Sequence, residues 1–396
     1  METLFYFLAI LQVLGGLYLI FQAVQWLAYV RRRMNTDPGF FAPRVALLCP
    51  CKGMEPGLEA NLVALTEQDH QNFEIFFVLA SEADPAASYV KRVATNSRPK
   101  AHVLFAGAPE GSSEKINNLR VAIEQLPAEF DVLVFADSDG RPAKNWLHRL
   151  VAPLKDERIA ATTTMRWFMP NNNSLATALL AAWNAPVVTM LTEKGPNFCW
   201  GGGTALRRTV FEQAAVLDFW QNALSDDFAM TTALQRTGKP ILFVPECLTL
   251  SFVACDFAEL MEFTNRQVLI TRVYAQKIWL TAAISHAVYC ATLLLGVSLT
   301  LADLSAGRPI LHLATLTLLP LLLSAIRGAL RLVGVTEALP NWRKQISAQS
   351  WIYVLLNLLV PFLYLVNFAH SLISRKIRWR GIRYELLAQD QTRIVS

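Results

Sequence analysis

Long stretches without charge alternate with short apolar runs along this chain. Residues 3–30, 279–302, 309–332 and 351–374 are predominantly apolar, each close to the roughly 20 residues a helix needs to cross hydrocarbon. Arg31-Arg32-Arg33 follows the first stretch, whereas a cleavable signal carries its basic residues in front. The first stretch therefore reads as an anchor, and the positive-inside rule places residue 34 onward on the cytoplasmic side. Three further crossings put Arg375, Lys376, Arg378, Arg380 and Arg383 on the opposite side, which the same rule opposes; the side of this tail stays open. A fifth uncharged stretch, Asn171–Thr192, is interrupted by Asn171-Asn172-Asn173 and Asn184-Ala185-Pro186. It reads as an interfacial or buried helix.

Between the first two spans the pattern changes. Val45–Leu48, Phe73–Leu79, Val103–Phe105 and Val132–Ala136 are short apolar runs suited to buried parallel strands. Helical stretches near 57–68, 85–96 and 116–126 separate them. Repeated strand–helix alternation predicts a doubly wound α/β sheet, and such sheets bind ligands beyond the carboxyl ends of their strands. Three of these strands run directly into polar residues: Pro50-Cys51-Lys52-Gly53, Ser81-Glu82-Ala83-Asp84 and Asp137-Ser138-Asp139.

Composition agrees with a membrane-associated chain. Of 396 residues 53% are hydrophobic and only 17% charged, against about 25% charged in soluble domains. The net charge of +5 is mild, and nothing calls for a nucleic-acid partner. Disorder, collagen-like repeats and a disulfide scaffold are excluded. The six cysteines lack zinc-site spacing and read as buried free thiols.

Asp137 and Asp139 are two residues apart at the end of an apolar strand, and in extended backbone they face one way. That suits a hard cation such as Mg²⁺ or Mn²⁺ held by one or two carboxylates and phosphate oxygens; a solvated D-S-D-G turn is the plainer alternative. Asp226-Asp227 follows Ser225, a residue able to cap the next helix. Acids in a first turn complement the helix dipole, while adjacent carboxylates also raise one another's pKa and suit a general base. Gly201-Gly202-Gly203-Thr204 precedes an apparent helix start at Arg207-Arg208, a combination that lets backbone approach a phosphate; a flexible turn is an equal reading. Lys115 lies at a probable helix start, where a cation opposes the dipole and an anionic ligand would relieve it; an exposed lysine is the simpler explanation. No P-loop, GxGxxG, GxSxG or histidine-based triad is present.

Taken together these residues resemble the membrane-bound family 2 glycosyltransferases, specifically the ceramide glucosyltransferase-like branch, and are similar to bacterial hopanoid-associated glycosyltransferases. The resemblance rests on Asp84 before Pro85, Lys115-Ile116-Asn117-Asn118-Leu119, Asp137 before Ser138, the acidic pair Asp226-Asp227, and the basic-aromatic tail Arg378–Tyr384. It implies an anchor (1–33), a cytoplasmic GT-A-like nucleotide-sugar-binding domain with interfacial helices (34–278), C-terminal transmembrane helices (279–374) and a basic tail (375–396). It further implies a UDP-sugar donor, a membrane lipid acceptor and Mg²⁺ or Mn²⁺. Asp84, Lys115 and Asp137 would bind the donor, Asp139 and Asp137 the metal, and Asp227 with Asp226 would supply the base. Gly202, Gly203 and Thr204 would line the donor site. The family's Q/R-x-x-R-W motif departs here: Gln267 stands in its first position, but Ile270 and Thr271 replace R-W. Arg266, Gln267 and Arg272 are the remaining binding candidates of that segment. A hopanoid, diacylglycerol or polyprenyl phosphate acceptor is the alternative within the class. A non-catalytic nucleotide-sugar sensor is the alternative outside it, and a transporter has little support.

Overall fold

A computed structural model describes residues 1–395. The chain folds into two compact units, neither continuous in sequence. A helical unit comprises Met1–Arg31, Asn173–Thr189 and Cys255–Ser374; an α/β unit comprises Arg32–Asn172, Met190–Ala254 and the segment from Arg375 onward.

The α/β unit is organised by β1 (Val45–Pro50), β2 (Phe73–Leu79), β3 (Ala101–Phe105), β4 (Val132–Ala136), β5 (Ala161–Thr163), β6 (Arg166–Pro170), β7 (Gly203–Arg207), β8 (Ile241–Phe243) and β9 (Thr249–Val253). Seven of them form one sheet in the order β3-β2-β1-β4-β7-β5-β8, while β6 and β9 pair separately. The alternation of the strands assigns the two faces. Val45, Leu47 and Cys49 enter one core with Ile75, Phe77, Val132 and Val134. Ala46 and Leu48 enter the other with Phe76, Leu133 and Phe135. Both faces are thus covered, which is why these strands are apolar throughout. The helices that separate the first four strands are Leu58–Thr66, Ala87–Thr95 and Glu114–Gln125, within a few residues of the predicted stretches.

The sheet is not wholly parallel. β1 pairs in parallel with β2 and β4, but β7 runs antiparallel to β4 and β5. This reversal also corrects the expected phosphate-binding helix start after the glycines. Gly203 pairs with Ala136, beside Asp137, whereas Arg207 pairs with Val132 at the far end of the strand. Arg207 there donates to the Ile159 carbonyl at 2.6 Å and the Glu157 carbonyl at 3.2 Å.

Residues predicted only as a basic tail form an antiparallel sheet of β10 (Lys376–Trp379), β11 (Ile382–Ala388) and β12 (Gln391–Ile394). Trp379 pairs with Ile382, and the two residues between them, Arg380 and Gly381, have φ of 51° and 83°. Positive φ at both central positions makes a type I′ turn, which matches the twist of the flanking strands.

In the helical unit, Glu2–Met34, Gln276–Ser305 and Leu311–Ala338 are long and apolar enough to cross a membrane. The fourth predicted span is not one straight helix. Ser350–Leu358 and Val360–Ile373 meet at a 61° bend, where Pro361 occupies the first turn of the second helix and has no N–H to continue the first. Leu175–Met190 is a short apolar helix, and Trp183 within it donates to Asn367 Oδ1 at 3.2 Å. Asn367 in turn donates to Thr264 and Asn265, each at 2.9 Å, on the helix Phe257–Tyr274. All six cysteines are free, and only Cys255 is more than slightly exposed.

Candidate active site

The carboxyl end of β4 carries the centre of the site. Asp137 Oδ1 lies 2.7 Å from Lys115 Nζ, and Asp226 Oδ2 lies 3.1 Å from the same ammonium. Lys115 reaches this point because its helix opens at Glu114, with the Ser113 hydroxyl accepting the Ile116 N–H at 3.3 Å. Its side chain is 16% exposed, so the reading as an exposed lysine does not hold. Asp226 opens the helix Asp226–Gln235, and Ser225 caps it by accepting the Phe228 N–H at 3.4 Å. Ser225 therefore caps this helix while both acids sit in its first turn. Asp227 is half-buried and accepts the Phe228 N–H at 2.8 Å and the Ser225 hydroxyl.

The charges fit one another. Burial by itself would lower the Lys115 pKa, but the carboxylates of Asp137, Asp226 and Asp227 overcome it and hold the ammonium above its ordinary value. Burial pushes Asp226 up to about 6, against the pull of Lys115 and with the push of Asp227 and Asp137. Burial also opposes the charge on Asp137, yet Lys115 and Arg166 keep its pKa below the ordinary value. For Asp139 burial prevails over Arg166, and its pKa is raised. Arg166, the first residue of β6, holds Asp139 Oδ2 at 2.7 Å. Sequence reasoning missed it, since β6 is a separate strand with no motif to flag its arginine.

The glycines have a steric reason. A Cβ on Gly201 would strike Asp226 Oδ2 and stand 2.5 Å from Lys115 Nζ. On Gly202 it would strike the Trp200 ring and stand 2.7 Å from Asp137 Oδ2. Gly203 begins β7. Thr204 is fully buried, donating to the Trp200 carbonyl at 2.8 Å. Asp84 sits at the end of the loop after β2, where Oδ1 accepts the Gly53 N–H at 2.9 Å and the Ala86 N–H at 2.8 Å. It thereby ties the loop after β1 to the helix Ala87–Thr95.

Arg266, Gln267 and Arg272 belong to the helical unit. Arg272 donates to the Ser371 carbonyl, and Trp279 donates to the Ser371 hydroxyl at 3.1 Å. The Arg266 guanidinium lies 5.1 Å from the Phe263 ring centroid, and the Gln267 carbonyl accepts the Thr271 hydroxyl at 2.8 Å.

Asp139 Oδ1 is buried and has no hydrogen-bond partner among the described residues. No group of three or more histidine, cysteine or acidic side chains suited to a metal occurs among them either. Two carboxylates, one with an unspent oxygen, fit a hard divalent cation that takes its remaining ligands from phosphate and water. They do not fit a closed all-protein site.

A family model for Glycosyl transferase family 21 matches residues 7–392. The chain belongs to this family. Ceramide glucosyltransferase 1 of Caenorhabditis elegans is 27% identical over 123 residues, which cover 31% of this chain and 26% of that relative. The matched segment thus spans about a quarter of the curated relative. Among solved structures, the mannosyltransferase PcManGT from Pyrobaculum calidifontis, in complex with GDP-Man and Mn²⁺, aligns with a TM-score of 0.47 at 17% identity, covering 92% of this chain and 97% of that one. Glucosyl-3-phosphoglycerate synthase from Mycobacterium tuberculosis aligns with a TM-score of 0.39 at 16% identity, covering 60% and 85%. In this family 21 glycosyltransferase Asp137 directly follows the carboxyl end of β4, the side on which an α/β sheet binds its ligands, and Lys115 and Asp226 reach it from the first turns of two helices.

Proposed function

We propose that this glycosyltransferase moves a single hexose from a UDP-sugar to a hydroxyl of a membrane lipid, with inversion, at the cytoplasmic face of a bacterial inner membrane. The observation that supports this most directly is the buried ammonium of Lys115, shared by Asp137 and Asp226. It puts a positive charge for an anionic donor beside the acidic pair suited to activate an acceptor.

In this reading Asp84 holds the nucleoside side of the donor, and Lys115 faces the diphosphate. Gly202 and Gly203 let backbone approach it, since side chains there would strike Trp200, Thr164 and Asp137. Asp139 and Asp137 would hold Mg²⁺ or Mn²⁺. Bound there, the metal supplies Lewis-acid neutralisation of the charge on the leaving nucleotide. Asp227 accepts the proton of the acceptor hydroxyl. The hydroxyl oxygen forms its bond to the anomeric carbon on the face opposite the diphosphate, and the carbon–oxygen bond to UDP breaks with its electron pair. Asp227 is preferred to Asp226 on access. Asp226 has the better-matched pKa, but Oδ2 is wholly covered beneath Lys115 and its side chain is only 4% exposed, whereas Asp227 is half-buried.

The test incubates membranes containing the protein with radiolabelled UDP-glucose, UDP-galactose or UDP-N-acetylglucosamine, Mg²⁺ or Mn²⁺, and total lipid extract. Label in the organic phase with one donor, lost in Asp137→Ala and Asp227→Asn, supports the proposal and names the sugar. No label from protein that still binds UDP overturns it in favour of a sensor. Chromatography of the labelled lipid separates a ceramide-like, hopanoid or diacylglycerol product from a polyprenyl phosphate, whose attack needs no hydroxyl deprotonation and would survive Asp227→Asn.

A further inference from the structure

The C-terminal sheet touches three segments that border the site: the loop after β1, the start of the Lys115 helix and the turn before Asp226. At its tip, Arg380 donates to the Lys52 carbonyl at 3.2 Å and ion-pairs with Glu55, on the loop that Asp84 holds through the Gly53 N–H. In β11, Tyr384 is 1% exposed, and its hydroxyl accepts the Glu114 N–H at 3.2 Å. Glu114 opens the helix of Lys115, and its carboxylate meets Lys52 at 2.5 Å. In β12, the Thr392 N–H donates to the Asn222 carbonyl at 3.0 Å. The adjoining Ala223 carbonyl accepts the Ser113 N–H, also at 3.0 Å, just before the acidic pair.

These contacts are built, not incidental. The first-turn N–H groups of a helix have no partner within it, and at Glu114 that partner is a buried tyrosine 270 positions away. The positive φ values of Arg380 and Gly381 aim the hairpin tip at Lys52 and Glu55. We propose that the C-terminal sheet is a clamp on the donor side of the site, with Tyr384 and Arg380 as positioning residues. Tyr384 sets the start of the Lys115 helix, and Arg380 sets the loop that joins β1 to Asp84. Neither acts on the acceptor. The inference rests on the nucleotide-sugar reading above and gives two residues of the tail Arg378–Tyr384 a task at the donor site.

The test uses full-length protein in detergent. Nucleotide-sugar binding is read by displacement of a fluorescent UDP analogue, and turnover is read against donor and acceptor concentration separately. Tyr384→Phe keeps the ring and removes the accepting hydroxyl; Arg380→Gln removes the ion pair, and Arg380→Lys restores its charge. Each of the first two raises donor KM by about five-fold or more, the usual scale for one lost hydrogen bond or ion pair at a part-buried site. Acceptor KM, kcat at saturating donor and the thermal midpoint stay within about two-fold or a degree or two. Arg380→Lys recovers much of the loss. Donor KM unchanged in both variants overturns the clamp, as does a parallel change in acceptor KM and thermal midpoint. Wild-type protein that displaces no nucleotide analogue overturns the functional reading and the clamp with it; wild-type binding matched by the variants overturns the clamp alone.

Discussion

Lys115 and Asp226 meet at 3.1 Å although each lies in the first turn of a different helix, one following β3 and the other preceding β8. Each helix N-terminus favours negative charge, so the cation at one start is offset by the carboxylates it gathers. Gly201 makes the meeting possible, because its missing side chain is the space that both groups occupy. Gly201→Ala should therefore separate the pair. Turnover is expected to fall by at least about ten-fold, with a destabilisation of about 1–3 kcal/mol from the overpacked site. Initial rates and thermal unfolding of the same preparation check this.

Asp226 provides a pH signature. With its pKa raised to about 6, it is charged above that pH and offsets Lys115; below it, Asp226 becomes neutral and the ammonium is freed for an anion. Nucleotide-sugar affinity should rise as pH falls through about 6, by about ten-fold for one unit of coupled pKa shift. The step should vanish in Asp226→Asn. A nucleotide sugar is the proper probe, because its diphosphate diester does not itself titrate in this range.

Asp227→Asn should reduce turnover by about 10²–10⁴-fold, the usual cost of losing a general base, and leave UDP affinity nearly unchanged. Rates and UDP binding, measured together, separate this outcome from a collapse of the donor site. If Asp226→Asn shows the larger loss at saturating donor, the base is Asp226.

Asp139→Asn removes the carboxylate with an unspent buried oxygen and keeps its shape. Mn²⁺ in the presence of UDP should raise the thermal midpoint of the wild-type protein. The same addition should leave Asp139→Asn unmoved, while the metal-free midpoints of the two differ little.

The C-terminal sheet bonds to residues 52, 114 and 222, so residues 375–394 are predicted to lie on the same face of the membrane as the rest of the α/β unit. An even number of crossings must then separate Ala254 from Arg375. With the helices Gln276–Ser305 and Leu311–Ala338 each crossing once, the pair bent by 61° is predicted to return to the face it left. A single cysteine placed near Asp390, in a background without the native cysteines, should react with an impermeant reagent from the same side as one placed near Asp37. This outcome also removes the conflict between the basic tail and the positive-inside rule.

The first four strands and the carboxylates at their ends were legible in the sequence, because buried parallel strands are apolar throughout and stop abruptly at polar residues. The cap at Ser225 was legible for the same local reason. The reversal of β7 was not: its five residues read alike in either direction, and only pairing with β4 fixes the sense. Arg166 and Tyr384 were hidden more deeply. Each is an ordinary residue of a short strand, and its importance arises from a partner 27 or 270 positions away. The bend between Leu358 and Val360 was missed, because a count of uncharged residues gives Pro361 no weight.

The interleaving of the two units also orders the birth of the protein. Every helix of the helical unit precedes Arg375 in the chain, and the α/β unit lacks its third sheet until the residues after Arg375 are made. The loops around Lys52, Glu114 and Asn222 therefore gain their last hydrogen bonds only after the final apolar helix has left the ribosome. The contacts that complete the site are thus the last to be synthesised.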